Sequence, residues 1–259
     1  MFKLAKCCML SVLTLSFSNQ AADVAATDLK PQKFPIAPFT AKYNIIHKGS
    51  PVGTAVRELS YLADGKIHYS YNTEIEWLIF SDNRKESSVL NFHNNHVIPN
   101  HYLFERSGTG KDKRSEWKFI PEKNQAFVIE EDEDEDDHQI ELDFSTQIQD
   151  KLSYHLQQRL DLIENPEQKH FVFEVIQSSG RTKNYVYEFD AEEELMLPYG
   201  SIKTIRLKRE VVEKQRITYA WFAPELNYLL VRLHQIKGDV NQFEAQLDKY
   251  SLSPITANK

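Results

Sequence analysis

Ile67-His68-Tyr69-Ser70-Tyr71-Asn72-Thr73-Glu74-Ile75-Glu76-Trp77-Leu78-Ile79 decides the fold. Ile67, Tyr69, Tyr71, Thr73, Ile75, Trp77 and Ile79 fall on one face. Lys66, His68, Ser70, Asn72, Glu74 and Glu76 fall on the other. Alternation of this kind marks an antiparallel sheet with one wet face. Asp64-Gly65, just before the run, is a hairpin signal. Upstream, Phe39, Ala41, Tyr43 and Ile45 share a face, and a turn at Lys48-Gly49-Ser50-Pro51 leads to a strand over Val52–Tyr61.

Downstream, strands are predicted over 86–93, 96–106, 115–121, 125–130 and 139–143, then over 169–177, 184–189, 203–211, 216–221, 228–236 and 243–247. Turn residues at Ser179-Gly180, Pro198-Tyr199-Gly200, Ala223-Pro224 and Gly238-Asp239 separate the later ones. Ser145–Ile163 breaks the pattern. There Ile148, Leu152, Leu156, Leu160 and Ile163 recur at helical spacing, Ser145 stands where a cap would, and Pro166 prevents continuation. Strands and helices do not alternate, so a parallel α/β fold is unfavoured. A sheet this wide curls to protect its edges. The expected fold is mainly β: a wide antiparallel curved sheet or partial barrel with one amphipathic helix packed against it.

The chain begins with a basic, then apolar, then small-residue order. Lys3 and Lys6 precede Cys7–Phe17, and Ser18, Ala21, Ala22, Ala25 and Ala26 follow. This reads as a cleaved secretory signal over residues 1–26, with the cut falling between 18 and 26. The apolar run is too short to span a bilayer, and no later stretch approaches that length. Residues 27–38 then form a flexible leader, 39–250 a single β-rich domain and 251–259 a tail. Cys7 and Cys8 both lie in the signal, and neither sits where a lipid-modified cysteine would follow the apolar run. The expectation is a released periplasmic protein.

The whole chain carries a net charge of −7. Losing residues 1–26 removes Lys3, Lys6 and Asp23 and leaves 29 basic against 37 acidic residues, or −8. The unbroken acidic octet Glu130–Asp137 supplies as much by itself. No basic excess remains to neutralise phosphates, so nucleic acid is excluded as a partner.

Five segments resemble, in order, the bacterial family known as domain of unknown function 3108. They are Phe39-Thr-Ala-Lys-Tyr43 with Gly49-Ser-Pro-Val-Gly53, Asp150-Lys-Leu-Ser-Tyr-His-Leu-Gln-Gln-Arg159, Leu197-Pro-Tyr-Gly200-Ser-Ile-Lys-Thr-Ile205 and Trp221-Phe-Ala-Pro-Glu225. The resemblance covers roughly residues 38–250. Leu230 stands where members often have Pro, and the acidic octet lies outside the pattern. The resemblance implies an exported β-rich envelope protein with no assigned reaction, and it transfers no catalytic residue.

Motifs for chemistry are sparse. The octet lacks the alternation and the Gly of a calcium loop and reads as a solvated loop. His93, His96 and His101 fall on a hairpin without a completing ligand. Gly49-Ser50-Pro51-Val52-Gly53 is not a nucleophile elbow, and Gly108-Thr109-Gly110-Lys111 is an incomplete phosphate loop. No catalytic residue, metal or cofactor is assigned. The candidate ligand-binding residues are the strand aromatics Tyr69, Tyr71, Trp77, Tyr185, Tyr187 and Trp221, with Asp150, Ser153 and Arg159 as a polar rim on the helix. Aromatic faces around a curved sheet suit a lipid or an apolar peptide, and another envelope protein is the alternative partner. The leading reading is a non-catalytic envelope protein. A periplasmic hydrolase or metal-dependent enzyme and a structural assembly module are the alternatives.

Overall fold

The computed structural model describes residues 33–129, 138–141, 147–238 and 240–253. The signal segment, the cut site and the acidic octet therefore lie outside the described residues. The described residues belong to one compact unit.

The strands are β1 (Phe39–His47), β2 (Ser50–Tyr61), β3 (Ile67–Trp77), β4 (Phe80–His93), β5 (His96–Gly108), β6 (Lys113–Ile120), β7 (Gln125–Ile129) and β8 (His138–Glu141). After the helix α1 (Ser153–Glu164) come β9 (His170–Ile176), β10 (Thr182–Leu197), β11 (Gly200–Val211), β12 (Arg216–Ala223), β13 (Leu229–Lys237) and β14 (Val240–Leu252). They build one sheet in the order β8-β7-β6-β5-β4-β3-β2-β1-β14-β13-β12-β11-β10-β9. Every pairing is antiparallel. The sheet is thus two hairpin meanders joined where β1 meets β14. The expected mainly β architecture with one helix is what the chain adopts.

The sheet curls, and residues 147–150 with α1 strap its two wings together. Gln149 pairs in parallel with Val175 of β9. Its backbone amide donates to Glu174 O at 2.8 Å, and its carbonyl accepts from the Ile176 amide at 2.9 Å. The Gln149 side chain reaches the other wing, where Nε2 donates to Val97 O on β5 at 2.9 Å. The same helix then packs both ways. Leu152, Leu156 and Leu160 join the main core, which draws side chains from both wings, whereas Tyr154 and Leu162 join a second cluster with Phe171, Phe173, Tyr187, Leu207 and Phe222.

Three sequence expectations are revised. The helix was expected from Ser145 but begins at Ser153, because Gln149 satisfies its backbone against β9 instead. The run Ile67–Ile79 was read as one strand, yet it ends at Trp77, and Leu78-Ile79 is a two-residue turn into β4. No turn-forming residue marks that bend. Residues 34–38 were read as leader, but Phe34 and Ile36 are buried. Phe34 packs edge-on against Phe92 at 4.9 Å, and Ile36 O accepts from the Tyr61 hydroxyl at 2.6 Å.

These contacts close one end of the curl. Phe34, Ile36, the β4–β5 turn and α1 cluster there; Gln157 Oε1 accepts from the Val97 amide at 2.9 Å. The opposite end carries the β1–β2, β3–β4, β5–β6, β11–β12 and β13–β14 turns.

Candidate functional site

A cavity of about 430 Å³ lies inside the curl toward the turn-bearing end. Strand alternation sets its walls. Ile45 from β1, Tyr71, Thr73 and Ile75 from β3, Tyr102 and Phe104 from β5, and Leu233, Phe243 and Ala245 from β13 and β14 give a largely apolar lining. Arg84 and Glu86 of β4, Glu244 of β14 and Lys151 ahead of α1 add charge. Of the lining residues, Phe243 and Arg84 are exposed, on the side toward the β3–β4 and β13–β14 turns.

Beneath the apolar walls sits a buried polar layer. Arg57 stands at an inward position of β2 between Ala55 and Leu59. It donates to the Tyr69 hydroxyl at 3.0 Å and lies 4.8 Å from the centre of the Tyr71 ring. Burial opposes its charge, but the phenols of Tyr69, Tyr43 and Tyr71 outweigh that and hold the guanidinium above its ordinary pKa. Beside it, burial raises the Glu86 carboxyl, against the hydrogen bond that the Tyr102 hydroxyl donates to it. Burial also pushes Asp150 up to about 6.

Asp150 is fixed by four hydrogen bonds. Its Oδ1 accepts from the Leu152 amide at 2.8 Å, the Ser153 amide at 2.6 Å and Ser88 Oγ at 2.9 Å. Ser153 Oγ in return accepts from the Asp150 amide at 2.9 Å. The pair is a reciprocal helix-start motif pinned to β4. His155, one turn after Lys151, is held well below its usual pKa by burial and by the positive charges of Arg57 and Arg209, so it is neutral.

The nine sequence candidates do not form one site. Tyr71 lines the cavity, and Tyr69 lies next to it against Arg57. Trp77 is at the open rim, its ring 5.0 Å from His47. Tyr185 and Tyr187 pack on Tyr154 under the β9–β12 wing, with Arg209 stacked 3.5 Å over Tyr185. Trp221 donates to Glu193 Oε1 at 2.8 Å in a network with Arg206. Asp150 and Ser153 start the helix. Arg159 serves the closed end, donating to Asn227 O at 2.8 Å and Leu226 O at 3.0 Å over the Phe39 ring.

Sequence reasoning missed Arg57, Glu86, Tyr102, Lys151 and His155. A signal existed for one of them: Arg57 interrupts the apolar face of its strand, between Ala55 and Leu59. The histidines expected on a hairpin do flank one, with Asn94-Asn95 as its turn, and His101 Nε2 lies 2.7 Å from Glu116 Oε1. Among the described residues, no three His, Cys, Asp or Glu side chains are grouped to hold a metal ion. No described helix is long and apolar enough to cross a membrane.

The fold is that of a β-barrel-like protein, an antiparallel sheet curled around a cavity and strapped by one helix. The chain belongs to the family described as "Protein of unknown function (DUF3108)", whose profile matches residues 42–248. None of the curated proteins matches it. Among solved structures it is similar to a β-barrel-like protein of domain of unknown function DUF1849 from Brucella abortus, with 12% identity and a TM-score of 0.55 over 85% of this chain and 99% of that one. A candidate exported protein with a YmcC-like fold from Bacteroides fragilis aligns at 10% identity and a TM-score of 0.32, over 83% of this chain and 96% of that one.

Proposed function

We propose that this chain is an exported, non-catalytic binding protein of the bacterial periplasm that holds an apolar or amphipathic ligand inside its curled sheet. The observation that carries the reading is the cavity of about 430 Å³, apolar on most of its wall and charged at Arg84, Glu86 and Lys151. That volume lies in the range of small-molecule sites, which combine apolar walls with a few fixed polar groups. The buried Arg57–Tyr69–Tyr71 layer keeps the floor rigid, and the helix closes the far end. A lipid or a short apolar peptide with a polar head matches this lining. The export reading rests on residues 1–26 and on the family resemblance.

The test is titration with 1-anilinonaphthalene-8-sulfonate, whose fluorescence rises in an apolar site, followed by displacement with a fatty acid. Ala245 is a buried wall residue, so Ala245→Trp places a bulky ring in the cavity. The parent should bind the probe at micromolar concentration with one site and release it to the fatty acid. The variant should lose at least tenfold in affinity. Equal binding by both would refute the reading.

A further inference from the structure

Three cations approach the inner end of the cavity from three elements. Lys151 lines it from the turn ahead of α1. Arg57 lies behind its wall on β2, 4.8 Å from the centre of the ring of Tyr71, which is a lining residue. Arg209 on β11 stands directly opposite Thr218 of β12, another lining residue, and continues the inner face of the buried Leu207. The three share one space. Arg57 and Arg209 both act on the His155 ring of α1, and Arg57 and Lys151 both act on Glu86.

Few acids answer them. Among the described residues, none of the three forms an ion pair. The other charges on the lining are matched. Arg84 donates twice to Asp82, at 2.9 Å each, and Glu244 accepts from Arg232 at 2.7 Å. Two carboxyls remain, Glu86 and Asp150. Glu86 accepts from the Tyr102 hydroxyl, and Asp150 Oδ1 is taken up by the helix start. Three cations against two carboxyls leave one positive charge, and burial lifts both carboxyls toward their neutral forms. Charge held away from water is costly unless it is matched.

Orphaned hydrogen-bonding groups lie in the same place. Thr73 lines the cavity and is 7% exposed, yet its hydroxyl has no partner among the described residues. Arg57 is 4% exposed, and its Nε has none there either. His155 Nδ1 is buried and equally unmatched. Thr73 is two residues along β3 from Tyr71, which pairs with Glu86, so the hydroxyl and Glu86 are diagonal neighbours across the β3–β4 pair. Buried polar groups are normally satisfied, and a cluster of exceptions around a cavity marks where a ligand's polar atoms belong.

We propose that the cavity selects an amphiphile with a single anionic head, an alkyl-chain carboxylate, whose oxygens accept from Lys151 Nζ and Thr73 Oγ1 in the field of Arg57 and Arg209. This head-group class rests on the cavity holding a ligand at all. The chain lies against Ile45, Ile75, Phe104, Leu233 and Ala245. A monoanion balances the three cations and two carboxyls, whereas an ammonium head would add a fourth cation. Charge-assisted hydrogen bonds in an apolar surround favour the carboxylate over a neutral head of the same size.

The experiment uses protein stripped of copurified lipid on a hydrophobic resin, with the neutral fluorescent probe N-phenyl-1-naphthylamine. Dodecanoate, dodecanol and dodecylamine compete for the probe at neutral pH. In the parent, dodecanoate should bind about tenfold more tightly than dodecanol, the size of one charge-assisted hydrogen bond, and dodecylamine should be weakest. Lys151→Gln and Arg209→Gln should each lower dodecanoate affinity about tenfold and leave probe and dodecanol within about twofold of the parent. Both side chains are half-buried, so far-ultraviolet circular dichroism and melting temperature should stay close to those of the parent. Lys151→Glu should reverse the preference, so that dodecylamine displaces the probe better than dodecanoate. Probe uptake with equal affinity for the three chains, or variants that keep the parent's preference, overturns the head-group class and leaves the cavity reading standing. Absence of probe uptake by the parent overturns both. Acetate and inorganic phosphate, titrated calorimetrically, should bind about a hundredfold more weakly than dodecanoate because they bury no chain. Equal affinity for them overturns the proposal in favour of a small free anion.

Discussion

Replacing Asp150 by Asn should remove a loss of stability that the parent suffers as pH rises from 4 to 7.5. The carboxyl is fully buried, and its Oδ2 has no hydrogen-bond partner among the described residues. Burial raises its pKa from the ordinary 3.8 to about 6. A pKa raised on folding means the native state favours the protonated form. The contribution to stability is present below about pH 4 and is lost as pH rises through about 6. A shift of about 2 units at about 1.4 kcal/mol each makes ionisation of Asp150 cost about 3 kcal/mol at neutral pH, most of it appearing between pH 4 and 7.5. Asn cannot ionise, and its Oδ1 can still accept from Leu152, Ser153 and Ser88. Urea unfolding of both proteins at pH 4 and 7.5 gives the double difference, in which salt bridges such as Arg84–Asp82 cancel. The parent should lose about 2–3 kcal/mol more than the variant between the two pH values. An unchanged pH dependence, or a variant less stable than the parent by more than about 2 kcal/mol at pH 7.5, would refute the reasoning.

Gly53→Ala should destabilise strongly, because a Cβ there would meet Glu74 O at 2.0 Å and Ile75 Cα at 2.8 Å. A loss of at least about 2 kcal/mol in urea unfolding is expected. Trp117→Ala removes a 1% exposed indole from the β5–β7 core and should cost about 3–5 kcal/mol in the same assay. Leu78→Gly should instead stabilise by about 0.5–1 kcal/mol in the same assay, because glycine relieves the left-handed strain at the β3–β4 turn.

The fold was legible where the chain obeys period two and turn chemistry. Ile67–Trp77, the Asp64-Gly65 hairpin and the helical spacing of Leu152, Leu156 and Leu160 each appear where their residues point. The misreadings have physical causes. Leu78-Ile79 extended a strand pattern through a turn because that turn carries none of the residues that signal one. Phe34 and Ile36 looked like polar leader because their burial depends on Phe92 and Tyr61, which lie far along the chain. The helix start shifted to Ser153 because Gln149 found backbone partners on β9. The polar floor escaped because inward positions such as Arg57 read as exceptions until the curl brings Tyr69 and Tyr71 around them. Aromatics were overcounted for a related reason: Tyr187 and Trp221 are core and network residues, and period alone does not distinguish a filled interior from an open one.

The central claim is that the curled sheet holds a ligand. Native mass spectrometry of the protein from its own periplasm, beside Ala245→Trp prepared in the same way, tests it directly. The parent should carry one adduct of a few hundred daltons that organic solvent extracts, and the variant should fly without it. A bare parent chain, or the same adduct on both proteins, would contradict the account.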